Sequence, residues 1–195
     1  MIKEDPYRGI FIPELTEYSV VAEDELLEII SISESVRTVA ATKMNTRSSR
    51  SHQIVMIEVV QKLSNGGEKK GRLNLVDLAG SEKVAHSGVT GENLEEAKKI
   101  NLSLSALGNV INSLTKRHEH IPYRDSKLTR LLQESLGGNY KTTLIVNCSP
   151  HPSNLEDTLS TLKFAKRAKT IKNKVKINHR RSAAEYMKII DGLKE

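Results

Sequence analysis

The chain has 195 residues with 37% hydrophobic and 28% charged side chains, a composition that suits one globular domain or part of one and excludes a low-complexity tract. Its net charge of +6 favours an acidic partner, whether nucleic acid, an anionic membrane or an acidic protein surface. A single cysteine, Cys148, excludes an internal disulfide and points to a reducing, cytoplasmic compartment; no secretory leader is visible and no apolar run is long enough to cross a bilayer.

Residues 1–21, with Pro6 and Pro13 among scattered apolar positions, predict irregular loops with short extended pieces. From Glu23 to Val36 the pattern predicts a helix with Leu26, Leu27 and Ile30 on one face. Glu23, Asp24 and Glu25 fall in its first turn, where the helix dipole favours acids. A polar octet follows, Asn45-Thr46-Arg47-Ser48-Ser49-Arg50-Ser51-His52, which leads into an apolar strand over Ile54–Val60. A Ser-rich connecting loop would look the same.

Ser64-Asn65-Gly66-Gly67 separates that strand from a second over Arg72–Asp77, and Asn-Gly predicts an antiparallel hairpin because both residues accept positive φ. Counting equally outward from Asn65 and Gly66 puts Arg50 opposite Ser81 and brings the octet to the same end of the hairpin as Asp77-Leu78-Ala79-Gly80-Ser81-Glu82. Leu73, Leu75 and Val76 suggest a buried strand running into that loop. In phosphate-binding α/β proteins an Asp at a strand's carboxyl end can hold a magnesium ion through water. A Gly three residues on can offer its N–H to a terminal phosphate. A glycine turn after a strand is the commoner origin of such a pair.

Leu94, Ala97, Ile100, Leu104, Leu107, Ile111 and Leu114 recur at three- and four-residue steps, predicting an amphipathic helix opened by Asn93 with Glu96 three later. Its polar face carries Lys98, Lys99, Ser103, Ser105, Asn109 and Asn112. Pro122 and Asp125 predict the start of another helix, with Leu128, Leu131, Leu132 and Leu136 inward and Gly137 ending it. Arg124, Lys127 and Arg130 crowd its beginning, where the dipole disfavours positive charge, which suggests an external anion as well as simple solvation. Thr142–Asn147 predicts a strand buried on both faces. Ser153-Asn154-Leu155-Glu156 predicts a capping box for a helix through Leu159, Leu162, Ala165, Ala168 and Ile171. From Lys163 to Arg181 there are nine Lys and Arg and no acid, with too few aromatics nearby to favour nucleic acid. After Asn173, Val175 and Ile177 alternate with polar residues in an extended pattern, and Tyr186, Ile189, Ile190 and Leu193 restart a helical period.

These strings, in this order, resemble the motor domain of kinesins over about three quarters of the chain. The octet resembles the family's first switch loop and Asp77–Glu82 its second. Leu94–Asn101, Ser103–Gly108, Ile121–Thr129 and Ser135–Asn139 match further family-specific segments. The resemblance implies an α/β fold, a partial kinesin-type P-loop NTPase core of mixed β-sheet with helices on both faces. Residues 1–173 would be the C-terminal part of the motor domain, 174–183 a neck linker and 184–195 the start of a neck helix. The implied ligands are ATP and Mg2+, with Asn45, Ser48, Ser49, Asp77 and Gly80 around them, and Ser49 and Asp77 toward the metal. Ser48, Ser49, Arg50, Gly80 and Glu82 take the catalytic roles, Arg50 and Glu82 as the ion pair that closes the switches. Lys98, Lys99, His120, Arg124, Lys127 and Arg130 would face microtubules (tubulin).

The resemblance also implies a cytoplasmic, cytoskeletal location and a homodimer formed through the neck; no membrane partner is expected, and a nucleic-acid-binding basic domain is a distant third reading. A C-terminal neck is the arrangement of plus-end-directed motors of the conventional or heterotrimeric type, and Leu102 sides with the latter. The departure from the family that matters most is that no G-x-x-x-x-G-K-[ST] loop occurs in the chain. The family's adenine-contacting N-terminal strand is missing as well, and His120 stands where conventional kinesins often have Tyr. The expectation is therefore a portion of a kinesin ATPase that does not hydrolyse ATP alone. The other reading is a microtubule-binding module without ATPase activity.

Overall fold

The computed structural model describes residues 1–5, 9–44, 51–80 and 92–194, without the side chains of 37–44 and 92–98. The chain divides into two compact units, one made of Met1–Ser51 with Ala79–Val175 and the other of His52–Leu78 with Lys176–Glu195.

The first unit opens with two short antiparallel strands, β1 (Lys3–Asp5) and β2 (Gly9–Phe11), registered with Glu4 opposite Ile10. They are the short extended pieces expected between the prolines. Helix α1 spans Glu23–Met44, eight residues past its expected end at Val36. Its three acids lie in the first turn, where the Glu25 carboxylate accepts the Val21 N–H at 2.9 Å. Leu26 and Ile30 are half-buried, but Leu27 is exposed.

Helix α2 (Glu92–Thr115) is the spine of this unit and packs against α3 (Lys127–Leu131) and α4 (Leu155–Ala168). It is already helical at Glu92, so Asn93 lies inside the helix rather than capping it. Ala106, Leu107, Val110 and Ile111 are buried, Val110 completely. That stripe is broader than the expected one, because burial here follows the helices on both flanks. Leu128 and Leu132 complete this core with Ile10 of β2.

The helix expected from Pro122 to Leu136 is instead three short pieces: a 3₁₀ turn at Tyr123–Asp125, α3 (Lys127–Leu131) and a 3₁₀ turn at Gln133–Ser135. Ser126 breaks the first junction by adopting an extended backbone and capping α3 itself. Gly137 ends the series at φ 91°, as expected.

Two further expectations fail in this unit. Thr142–Asn147 forms no strand, and Leu144 and Ile145 are exposed. A strand needs a neighbour to take its backbone hydrogen bonds, and neither described sheet contains this segment. At α4 (Leu155–Ala168) the side chain of Asn154 makes no capping bond. A 3₁₀ turn at Pro152–Asn154, capped by the His151 ring, precedes the helix instead. Phe164, Ala165 and Ala168 are half-buried, whereas Leu155, Leu159 and Leu162 are exposed.

The second unit is a hairpin, β3 (Gln53–Lys62) with β4 (Glu68–Asp77), extended at its tip by β5 (His179–Arg180) alongside Glu68 and Lys69. The hairpin is as expected, but its register differs by one residue: Gln53 pairs with Asp77 and Lys62 with Glu68. Of the turn residues only Gly66 has positive φ, at 77°. The Leu63 carbonyl accepts the Gly66 N–H, and the Gly67 carbonyl accepts the Leu63 N–H. This is a three-residue loop closed by a left-handed glycine rather than a two-residue turn, so the pairing is offset by one. Leu73, Leu75 and Val76 are exposed, so β4 is not the buried strand that its apolar run suggests.

Beyond β5, Ser182 caps α5 (Ala183–Gly192) in a box with Glu185, and the Asn65 amide donates to Glu185 at 3.3 Å. All described strand pairs are antiparallel, and no helix among the described residues is long and apolar enough to cross a membrane.

Candidate functional site

Asp77 stands at the last paired position of β4, opposite Gln53. The chain enters β3 through His52 and leaves β4 through Leu78, so both connections depart from the end of the hairpin opposite its turn. Ten consecutive pairs set this placement, reinforced by a charge clamp on the ladder. Glu58 lies directly opposite Arg72, which it meets at 3.1 Å, and reaches Lys70 diagonally at 2.7 Å. Burial works against the Glu58 charge, yet the two cations hold its carboxyl below the usual carboxylate range. Partial burial lowers the pKa of the His52 imidazole, and the nearby Asp77 charge only partly offsets this.

Of the remaining expected nucleotide-site residues, Gly80 is half-buried beside the buried Ala79. Asn45, Ser48, Ser49, Arg50 and Glu82 lie outside the described residues.

The fit to a bound metal nucleotide can be judged from the donors present. No three His, Cys, Asp or Glu side chains among the described residues are grouped to hold a metal. Asp77 alone offers a single carboxylate. That suits magnesium only where water and phosphate oxygens supply the other positions, and the described residues provide no phosphate cradle. They do not make a complete site for MgATP.

The basic positions are better defined. Tyr123–Asp125, Ser126 and α3 form a small knot centred on Thr129, which is fully buried. The Thr129 hydroxyl donates to the Tyr123 carbonyl at 2.7 Å, and the Ser126 hydroxyl accepts the Thr129 N–H at 3.0 Å, closing a capping box. The Tyr123 hydroxyl donates to the Leu136 carbonyl, and burial, then the charge of Glu134, pushes its pKa up. This knot holds Arg124 and Lys127 outward, both exposed.

His120 and Lys99 are exposed too, whereas the side chain of Lys98 is outside the described residues. Arg130 behaves differently. It meets Glu4 of β1 at 2.6 Å and Gln133 at 3.1 Å, with only 13% of its side chain exposed.

Three residues that carry this region escape the sequence reading. Thr129 is readable in principle, because Ser126-x-x-Thr129 has capping-box spacing. Glu4 is not, since its partners lie more than a hundred positions away. Nor is Asn173, whose side chain bonds the Gly137 N–H and the carbonyls of Ser135 and Tyr140.

Comparison with known proteins adds the following. Residues 1–171 match the family model described as the kinesin motor domain. Kinesin-related protein 5 of Dictyostelium discoideum is 58% identical over 193 residues, covering 98% of this chain and 20% of that protein. The kinesin heavy chain of Botryotinia fuckeliana is 56% identical over 191 residues, covering 97% of this chain and 22% of that one. Among solved structures, a fast kinesin superposes with a TM-score of 0.84 at 56% identity, over 95% of this chain and 53% of the other. A KIF14 dimer with AMP-PNP, in complex with a microtubule, gives 0.83 at 39% identity, over 91% and 52%. The chain therefore spans about a fifth of the length of these curated relatives and about half of the solved chains.

Proposed function

The chain belongs to the kinesin motor-domain family, with an α/β fold of that family's P-loop NTPase type, and on that premise we propose that it is the microtubule-binding, switch-carrying portion of a motor that couples ATP hydrolysis to movement along microtubules. The observation that carries this reading is the outward presentation of Arg124 and Lys127 by a buried capping knot. Lys127 opens α3, where a positive charge is unfavourable to the helix by a few tenths of a kcal/mol, and the exposed Arg124 stands beside it in the preceding 3₁₀ turn. An acidic protein surface supplies the counter-charge, and tubulin is the acidic surface the family offers. Lys98, Lys99 and His120 extend the contact, and cytoplasmic microtubules are its location.

The chain's contribution to the nucleotide site is the γ-phosphate side. Ser49 and Asp77 would hold magnesium, with Asn45 alongside. The Gly80 N–H would meet the terminal phosphate, and Ser48, Arg50 and Glu82 would surround the attacking water. Bound MgATP supplies the phosphoryl group. Residues 174–183 serve as a neck linker and 184–195 as the first turns of a neck helix through which two copies pair; the exposed Tyr186, Ile189, Ile190 and Leu193 support that pairing.

Co-sedimentation with microtubules across a salt series tests the reading. Exposed pairs contribute about 0.2–1 kcal/mol each. Lys127→Ala should therefore weaken binding by less than about tenfold, and Arg124→Ala with Lys127→Ala by more. A Lys188→Ala control should change little. Binding indifferent to salt, or equal loss in the control and the double variant, removes the proposed face.

A further inference from the structure

Besides the exposed Asp125 that follows Arg124 in the chain, an acid brought from far along the sequence, Glu4, sits among the cations that the proposed function uses. The Glu4 Oε2 atom lies 2.6 Å from an Arg130 guanidinium nitrogen and 3.8 Å from one of Arg124. The two arginines hold this carboxylate differently. Arg130 is fastened at both ends, to Glu4 and to the Gln133 side-chain oxygen at 3.1 Å, and is 13% exposed. Arg124 is 79% exposed, and its contact with Glu4 is the long one.

We infer that Glu4 is an intramolecular competitor for Arg124, an acid carried by β1 that restrains the affinity of this face for an acidic partner. The inference rests on the function proposed above and names a residue that tunes it. A partner carboxylate approaching Arg124 meets a guanidinium already partly neutralised, and Glu4 itself, 47% exposed, repels that carboxylate. The carboxylate is placed by its bond to Arg130 and by the pairing of Glu4 with Ile10, so it does not swing away when a partner arrives. Arg130, turned inward, acts as the anchor of this acid rather than as a contact of its own.

The sign of the effect separates this role from a merely structural one. Replacing Glu4 by Gln keeps an oxygen to accept from Arg130 and removes the charge. If Glu4 competes, the variant binds microtubules more tightly, by about two- to fivefold at low ionic strength. The gain shrinks as salt shortens the Debye length. If Glu4 only braces the face, the variant binds equally or more weakly.

The experiment is co-sedimentation of the full chain, its Glu4→Gln variant, Arg124→Ala, the double variant, and Glu28→Gln as a control that removes an acid from the exposed side of α1. Thermal melting is followed in parallel. The expected result is tighter binding by Glu4→Gln alone, no gain when Arg124 is already Ala, and little change in Glu28→Gln. Equal or weaker binding by Glu4→Gln, or the same gain with and without Arg124, overturns the inference. If Glu4→Gln lowers the melting temperature, Glu4→Ala measured below both transitions replaces it, with the same outcomes deciding. Absence of salt-sensitive binding by the parent chain overturns the functional reading instead, so the two failures are distinguishable.

Discussion

The side-chain oxygen of Asn173 accepts the backbone N–H of Gly137 at 2.7 Å. The same side chain donates to the carbonyls of Ser135 and Tyr140 at 2.9 and 2.6 Å, and the next residue, Lys174, donates its N–H to Gly138. One amide thus ties the end of the α3 region to the chain leaving α4. Asn173→Ala strands several half-buried backbone groups and should cost about 1–3 kcal/mol. For a chain of this size that is about 2–4 °C in melting temperature per kcal/mol.

Gly137 is constrained from both sides. At φ 91° a side chain is strained, and an added Cβ would lie 2.8 Å from a Leu114 methyl and 3.2 Å from the Tyr123 hydroxyl. Gly137→Ala should destabilise by about 1–3 kcal/mol, read as a lower urea midpoint. An unchanged midpoint would show that this corner relaxes freely.

Thr129 tests the knot beneath Arg124 and Lys127. Thr129→Val keeps the volume but removes the hydroxyl that bonds the Tyr123 carbonyl and Ser126. A loss of about 1–3 kcal/mol is expected, with Thr129→Ser losing less. Ser126→Ala alone should cost about 0.5–2 kcal/mol. Because both belong to one box, the double variant should lose less than the sum.

Acid should destabilise the hairpin unit in two steps of the same sign. His52 is held below its ordinary 6.5 by burial. Below that pH the unfolded chain therefore takes up a proton that the folded one resists, and stability falls as pH drops through 6.5. Glu58 is held below 4.5 against the opposing effect of burial by Lys70 and Arg72. Its contribution is complete above 4.5 and disappears as pH falls through its lowered value. Hydrogen exchange of β3 and β4 amides between pH 7.5 and 4 reads both steps. His52→Gln should abolish the upper step, and Glu58→Gln the lower.

ATP turnover is predicted to be absent from the 195-residue chain alone, because it contains no Gly-rich loop with its Lys to cradle the β- and γ-phosphates. A polypeptide that also carries such a loop should turn ATP over, and Gly80→Ala or Glu82→Ala in it should abolish microtubule-stimulated hydrolysis. Steady turnover that follows the 195-residue chain through purification would refute the first expectation.

What the sequence by itself determined is local or family-specific. The apolar spacing from Ile100 to Leu114 specified α2, the acids at Glu23–Glu25 marked the start of α1, and Asn65-Gly66 announced the hairpin. The strings Asn45–His52 and Asp77–Glu82, followed in order by Leu94–Asn101, Ser103–Gly108, Ile121–Thr129 and Ser135–Asn139, carried the resemblance to the family. Each such signal acts within a few residues of itself, through backbone conformation or a helix periodicity.

Tertiary structure decided everything that depends on a distant neighbour. Gly66 alone in the left-handed region moved the hairpin register by one residue, a choice open to Asn-Gly turns in general. Thr142–Asn147 has a strand's composition but no paired neighbour among the described strands. Exposure of Leu73, Leu75 and Val76 is set by what packs on them rather than by their own apolarity. Arg124, Lys127 and Arg130 look alike along the chain. A carboxylate 126 positions from Arg130 turned that one inward and left the other two facing solvent.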